Sequence, residues 1–226
     1  MKIIILNGSS RVNGITATIL HRLEYYLLES GVHVSFYNLG IQNISHCTGC
    51  CSCYKTGHCH IKDDAELISD DIQKADGIII GSPTYASNVS GIMKDMIDRG
   101  HFVIEQALNG KHCITVATGE NYGNADTSKV LNKLVLFSGG YLSSKFIIKA
   151  SFSNHFAVTD RLDKKCRRSS QRLLYRISNQ KQPVFQSIIH VVIFNFGIKP
   201  FVKKKGSAYN GVIEKWAKLE IKTGKS

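Results

Sequence analysis

Five candidate strands punctuate the first 150 residues, the first of them a short β-branched apolar run with no polar alternation, and a stretch with apolar residues at helical spacing follows most of them. A strand with that composition must be covered on both faces, which happens in parallel sheets. Lys2–Leu6 is the first such run and ends at Asn7-Gly8. From Thr16, Ile19, Leu20, Leu23, Tyr26 and Leu27 recur at helical spacing until Gly31, giving the first half of a βαβ unit. Val32–Leu39, Ala75–Gly81, Lys111–Ala117 and Ser143–Ala150 read as further strands. Helices are expected from Asp63, with Glu66 three residues on, to about Lys74, over Met93–Leu108, and over Thr127–Phe137 before Gly139-Gly140. The alternation predicts an α/β fold: a doubly wound, five-stranded parallel sheet with helices on both faces.

Sheets of this kind bind ligands beyond the carboxyl ends of their strands, where the strand order reverses. Three loops there have unusual compositions. The first, Asn7-Gly8-Ser9-Ser10-Arg11-Val12-Asn13-Gly14-Ile15-Thr16, opens onto a helix N-terminus. Hydroxyls, amides, a guanidinium and the positive helix end suit a phosphate monoester. The loop is neither a P-loop nor the dinucleotide GxGxxG, and the second strand ends in Tyr37-Asn38-Leu39 without the acid that grips an adenosine ribose. The second loop runs from Gly81 to Gly91 and the third from Thr118 to Asn124; both are rich in small polar residues, with Tyr85 and Tyr122 as aromatic walls. Taken singly each is an ordinary turn. At three ends of one sheet they favour a bound flavin mononucleotide.

The segments Gly8-Ser9-Ser10-Arg11…Gly14-Ile15-Thr16 and Gly81-Ser82-Pro83-Thr84-Tyr85…Ser90-Gly91…Lys94…Asp98-Arg99, with the glycine-rich loop at 118–124, resemble the NAD(P)H-dependent FMN reductase family over residues 1–150. The resemblance implies a flavodoxin-like fold. It implies that Ser9, Arg11, Gly14 and Thr16 hold the FMN phosphate, while Pro83, Thr84, Tyr85, Asn88, Thr118, Gly119, Tyr122 and Gly123 surround the isoalloxazine. Ile15 departs from the family's usual Asn and removes one polar contact. Asp98-Arg99 reads as a helix-end ion pair, and no catalytic acid or base is assigned.

Five of seven cysteines fall within Cys47–Cys59. Cys47, Cys50, Cys53 and Cys59 give C-x2-C-x2-C-x5-C, leaving Cys51 unused. Three thiolates at two-residue intervals wrap a cubane and a fourth closes it. Four-thiolate zinc sites more often join two CxxC knuckles separated by about 15–20 residues, although zinc and thiol redox chemistry stay open alongside inert thiols. The loop 46–60, continued by Gly57…Cys59…Asp63-Asp64, is similar to the iron–sulfur flavoprotein branch of the family, which implies a [4Fe-4S] cluster exchanging electrons with FMN. His46, His58 and His60 read as solvated loop residues, Cys113 as core, and Cys166 is unassigned.

The net charge of +12 is local. Residues 1–160 carry 13 Lys and Arg against 14 Asp and Glu, whereas 161–226 carry 16 against three. Residues 151–226 are therefore read as a basic extension to the FMN-binding domain. Lys164-Lys165-Cys166-Arg167-Arg168 through Arg176 has Leu173, Leu174 and Ile177 at helical spacing. Pro183–Ile198 is mostly apolar, with Gln186, Ser187, His190 and Gly197 on one narrow face of a helix. It is too short and polar to span a bilayer, but suits docking on the flavin domain, a second subunit or an anionic membrane interface. No motif supports specific nucleic-acid binding. No secretory core precedes the first loop, so a cytoplasmic location is expected. The expected activity is electron transfer from NAD(P)H through FMN to an unidentified acceptor, in a homo-oligomer. The rival is an electron carrier exchanging electrons with ferredoxin or another partner protein without NAD(P)H turnover.

Overall fold

The computed structural model describes residues 1–151 and 156–219. Five parallel strands form the sheet: β1 (Lys2–Asn7), β2 (His33–Asn38), β3 (Gly77–Tyr85), β5 (His112–Gly119) and β6 (Tyr141–Lys149), in the spatial order β2-β1-β3-β5-β6. The two-residue β4 (Asn88–Val89) folds back antiparallel on the end of β3. The order reverses beside β1, so β1 and β3 diverge in their onward connections and leave a crevice at their carboxyl ends.

One sheet face is covered by α1 (Ile15–Glu29) and α7 (Asp160–Ser178), whose Leu20, Leu23, Leu27, Leu162, Cys166 and Leu173 pack on Ile3, Ile5, Ile79 and Val116. The other is covered by α3 (Asp64–Lys74), α4 (Gly91–Arg99) and α6 (Asn124–Phe137) through Ile68, Ile72, Met93, Met96, Leu131 and Val135. Central strands are thus buried on both sides, which is why their sequences are continuous isoleucine and valine. Cys113 lies within the core, as its strand position indicates, and Cys166 joins α7 to the same core as α1. Arg22 and Tyr26 of α1 both bond Asp163 at the start of α7.

The single helix expected over Met93–Leu108 is broken. It runs as α4 and the one-turn α5 (Phe102–Glu105), because His101 between them takes φ +46° and any Cβ on Gly100 would meet the Phe102 ring at 2.4 Å. Beyond α7, helix α8 (Val184–Ile193) continues through a π-turn over 194–198 into α9 (Lys199–Lys205), and α10 (Asn210–Lys218) follows. Phe194, Ile198, Val202, Tyr209, Val212 and Trp216 form a third apolar cluster against Ile104 and Tyr54, the latter on the short helix α2 (Ser52–Thr56).

The loop that leaves β2 and carries the cysteines is closed at its base by one ion pair. Asp63, at the N-cap of α3, accepts from Ala65 N and Ser45 N and from both terminal nitrogens of Arg99, at 2.7 and 2.8 Å. The same guanidinium donates to Ser45 O and Ile61 O at 2.9 and 3.1 Å, bridging the two ends of the loop. Both side chains are essentially inaccessible to water. The expected Asp98-Arg99 pair does not form: Lys94 takes Asp98 at 2.6 Å, one helical turn away, and Arg99 turns inward.

Losing one member of a buried pair leaves the other charged and unsolvated, at a cost of about 3–5 kcal/mol, whereas replacing both by apolar groups is close to neutral. Arg99→Met should therefore lower the urea midpoint strongly, and Arg99→Met/Asp63→Leu should recover most of the loss. Burial opposes ionisation of Asp63, but Arg99 and the two amides outweigh it and hold its carboxyl below the ordinary value. Its stabilisation is fully present above the unfolded carboxylate value of about 3.9 and is lost as pH falls through the lower folded value. Urea unfolding followed between pH 5 and 2 should show a steeper loss for the parent than for Asp63→Asn.

Candidate functional site

β1 ends at Asn7, whose side chain shapes the turn that follows. Its Oδ1 accepts from Ser9 N at 3.1 Å and its Nδ2 donates to Asn38 at 2.7 Å, so the second strand's last residue serves the first loop. Ser9 Oγ then accepts from Arg11 N and Gly14 N donates to Arg11 O, folding the loop onto itself. Gly14 is the N-cap of α1; it supplies no side-chain acceptor, and the first turn of α1 holds no acid. The first-turn amides consequently face a concavity lined by Ser9, Arg11, Gly14, Ile15, Thr16, Pro83, Tyr85 and Thr118. Thr16 Oγ1 and Thr118 Oγ1 meet there at 2.7 Å, both nearly inaccessible, joining the loops after β1 and β5. Free helix-end amides, hydroxyls and a guanidinium form an anion site. Ile15, the departure from the family pattern, lines this concavity and packs in the core beneath α1.

An adjoining pocket of about 530 Å³ is lined by Thr84, Tyr85, Ala86, Ser87, Glu120, Asn121, Tyr122 and Lys149. Its volume lies in the range of small-molecule sites. Just beyond the β3–β4 hairpin, the Ser90 hydroxyl donates to Gly8 O at 2.6 Å and caps α4 by accepting from Met93 N. Thr127 Oγ1 donates to Asn88 O, pinning the β3–β4 hairpin to α6. Ala86 and Ser87 both take positive φ at the hairpin tip, a strained choice for residues with side chains. Gly123 also has positive φ, and a Cβ on it would sit 2.7 Å from Ser87 Cα. The two loops touch through that glycine. Tyr85 and Tyr122 are about 48% and 75% exposed, flanking the pocket as aromatic walls. The buried Thr84 hydroxyl has no hydrogen-bond partner among the described residues.

Ser9, Arg11, Gly14, Thr16, Pro83, Tyr85 and Thr118 thus share the anion concavity, and Thr84, Tyr85 and Tyr122 the larger pocket. Asn88 and Gly123 support the loops rather than line either space, as does Gly119, whose carbonyl accepts from Asn124 Nδ2. An orphaned buried hydroxyl beside an anion site and two aromatic walls fits a phosphorylated planar ring such as FMN. Sequence reading missed Lys149. It ends β6 opposite Gly119 of β5, and the rule that ligands lie at carboxyl ends of strands would have pointed to it.

The thiol loop has a different character. Cys47, Cys50 and Cys51 are exposed, Cys59 is half-buried and Cys53 is buried at the start of α2. Burial pushes the Cys53 thiol up to about 12, with Glu105, Cys59 and Cys50 adding negative charge nearby. Among the described residues no three His, Cys, Asp or Glu side chains converge in a metal-holding arrangement. The four thiols expected as ligands share one loop without meeting at a point. Their donor chemistry, four soft sulfurs within thirteen residues, still fits a thiolate-bound centre once the protons leave. The three histidines expected to be solvated each have a partner: His46 Nδ1 meets Asp95 at 2.7 Å, His58 meets Glu66 at 3.0 Å, and His60 meets Cys50 Sγ at 3.2 Å. Asp95 raises the affinity of His46 for its proton.

The back of the loop is covered by the C-terminal helices. Tyr209 stacks on Tyr54 at 4.7 Å, Lys215 pairs with Glu105 at 2.5 Å, and Trp216 Nε1 donates to Ile104 O at 2.9 Å. Gly211 rests on Gly57 so closely that a Cβ there would lie 2.1 Å from Gly57 N.

Comparison with known proteins agrees with this geometry. An NADPH-dependent FMN reductase family model matches residues 1–152. An iron-sulfur flavoprotein of Clostridioides difficile (strain 630) is 37% identical over 225 residues, covering 98% of this chain and 100% of its own. An iron-sulfur flavoprotein of Methanocaldococcus jannaschii is 30% identical over 141 residues, or 60% of this chain and 72% of its own. Among solved structures, the apo form of an NADH:FMN oxidoreductase (EMOB) superposes with TM-score 0.59 at 19% identity, over 81% of this chain and 92% of its own. A flavodoxin from the domain Archaea gives TM-score 0.54 at 14% identity, over 79% and 99%. The fold is flavodoxin-like, and the chain is a flavoprotein oxidoreductase that belongs to the NADPH-dependent FMN reductase family.

Proposed function

We propose that the protein is an FMN-dependent oxidoreductase that takes electrons from reduced nicotinamide and passes them to an acceptor, with a [4Fe-4S] cluster on Cys47, Cys50, Cys53 and Cys59 extending the path. The observation that carries the reading is the convergence of three strand-end loops on one anion concavity and one aromatic-walled pocket. The flavin, when bound, supplies hydride acceptance and onward electron release. Ser9, Arg11, Thr16 and the amides of α1 hold the phosphate. Tyr85 and Tyr122 bound the ring, and Thr84 offers its unpartnered hydroxyl to a ring heteroatom. Lys149 and Glu120 also line the pocket and supply one charge of each sign to a second ligand. The thiol loop is supported by its similarity over nearly the whole chain to an iron-sulfur flavoprotein. The chain's seven unpaired cysteines, five of them in this loop, suit the reducing cytoplasm, where we place the protein.

Anaerobic purification followed by absorbance, iron, zinc and sulfide analysis tests both centres. Flavin bands with about four irons per chain, the iron lost in Cys50→Ser, are expected. Flavin without iron removes the cluster, zinc in its place makes the loop structural, and neither flavin nor iron overturns the reading. Steady-state NAD(P)H oxidation by the loaded protein separates an enzyme from a carrier, since a carrier is reduced only by a partner protein. Gly123→Ala adds a side chain at positive φ against the Ser87 backbone; it should weaken FMN binding at least about tenfold and also lower stability by about 1–3 kcal/mol, read as a lower denaturation midpoint. Quenching of FMN fluorescence on titration checks it.

A further inference from the structure

Helix α8 is amphipathic in the inverted sense. Its polar residues point into the protein: Gln186 closes on the edge strand β6 with both amide atoms, accepting from Leu142 N at 2.6 Å and donating to Leu142 O at 3.2 Å. His190 meets Gln106 at 2.7 Å and Ser187 donates to the Tyr141 hydroxyl. Its apolar residues point out. Val184, Phe185, Ile188, Val191, Val192 and, just beyond, Phe196 lie on one stripe, each about half to four-fifths exposed. No residue of α8 is fully buried. A contiguous stripe of six exposed apolar side chains marks a surface that something covers.

The charge around the stripe selects the occupant. No Asp or Glu occurs between Asp163 and Glu214, and the same span holds eleven Lys and Arg. Lys199 and the exposed Lys203, Lys204 and Lys205 follow the stripe directly, and Lys181 precedes it. A second copy would bring an equally cationic surface against this one, whereas an anionic surface is drawn to it. The helical run from Val184 to Lys218 is long and apolar enough in its richest window to cross a membrane. The lysine cluster in its middle and the inward hydrogen bonds of Gln186 and His190 hold it flat instead. We propose that the outer face of α8, with Phe185 and Phe196 as its insertion points, lies in the interface of an anionic lipid bilayer and attaches this flavoprotein to the membrane surface. The lysines that follow rest among the headgroups.

Co-sedimentation of the full chain with vesicles tests this. Binding to phosphatidylcholine vesicles containing about one-third phosphatidylglycerol should exceed binding to pure phosphatidylcholine at least about tenfold and weaken with salt. Phe185→Ser/Phe196→Ser removes two highly exposed rings without touching the core; it should abolish sedimentation with circular dichroism unchanged. Lys203→Gln/Lys204→Gln/Lys205→Gln should remove the preference for the anionic lipid while the phenylalanines are intact. Sedimentation with neither vesicle overturns the proposal. So does a dimer, found by light scattering, that the double serine variant converts to monomer while lipid binding is absent, since the stripe is then covered by a second copy.

Discussion

The buried pair of Arg99 and Asp63 is the constraint on which the cysteine loop depends. A single guanidinium reaches both ends of that loop and the cap of α3, so the thiol segment leaves the fold and returns to it through one point. Such an arrangement holds the base fixed while leaving Cys47, Cys50 and Cys51 open to solvent. Arginine suits the position better than lysine, because four bonds in one plane require its rigid fork. The pair sits between α3 and α4, both of which also cover the sheet, and so connects the loop's geometry to the main core.

The flavin-side crevice is built on a different principle. Its parts are hydroxyls and backbone groups that bond one another across elements: Thr16 to Thr118, Ser90 to Gly8, Thr127 to Asn88. Each bond ties the end of a strand or the loop after it to a neighbouring element, so the crevice is shaped before any ligand enters. Strained backbone at Ala86 and Ser87 is tolerated because the hairpin is held from α6.

Much of this was legible in the sequence. Continuous apolar runs identify strands covered on both faces, and loop composition marks the three strand ends that converge. What escaped has a physical cause in each case. The break at Gly100-His101 is invisible to periodicity, because Met96 and Phe102 remain apolar and buried on either side of it. Arg99 and Asp63 are 36 residues apart, so the local Asp98 was the natural partner until the helix's rotation was known. Lys149 is an ordinary lysine at the end of an ordinary strand and acquires meaning only from its neighbour across the sheet. The narrow polar face of α8 was evident from spacing, yet the direction in which it points follows from Gln186 finding an unpaired strand edge.

The closeness of Gly211 to Gly57 has a consequence in time. A chain made from its N-terminus at about 5–20 residues per second takes on the order of ten seconds to extend the roughly 150 residues between them. Once Lys149 of β6 has been made the sheet has all its strands, while the thiol helix α2 still lacks the cover that Tyr209 and Trp216 later provide. Delivery of anything to those sulfurs has its easiest access in the nascent chain, and the arrival of α10 closes the rear approach.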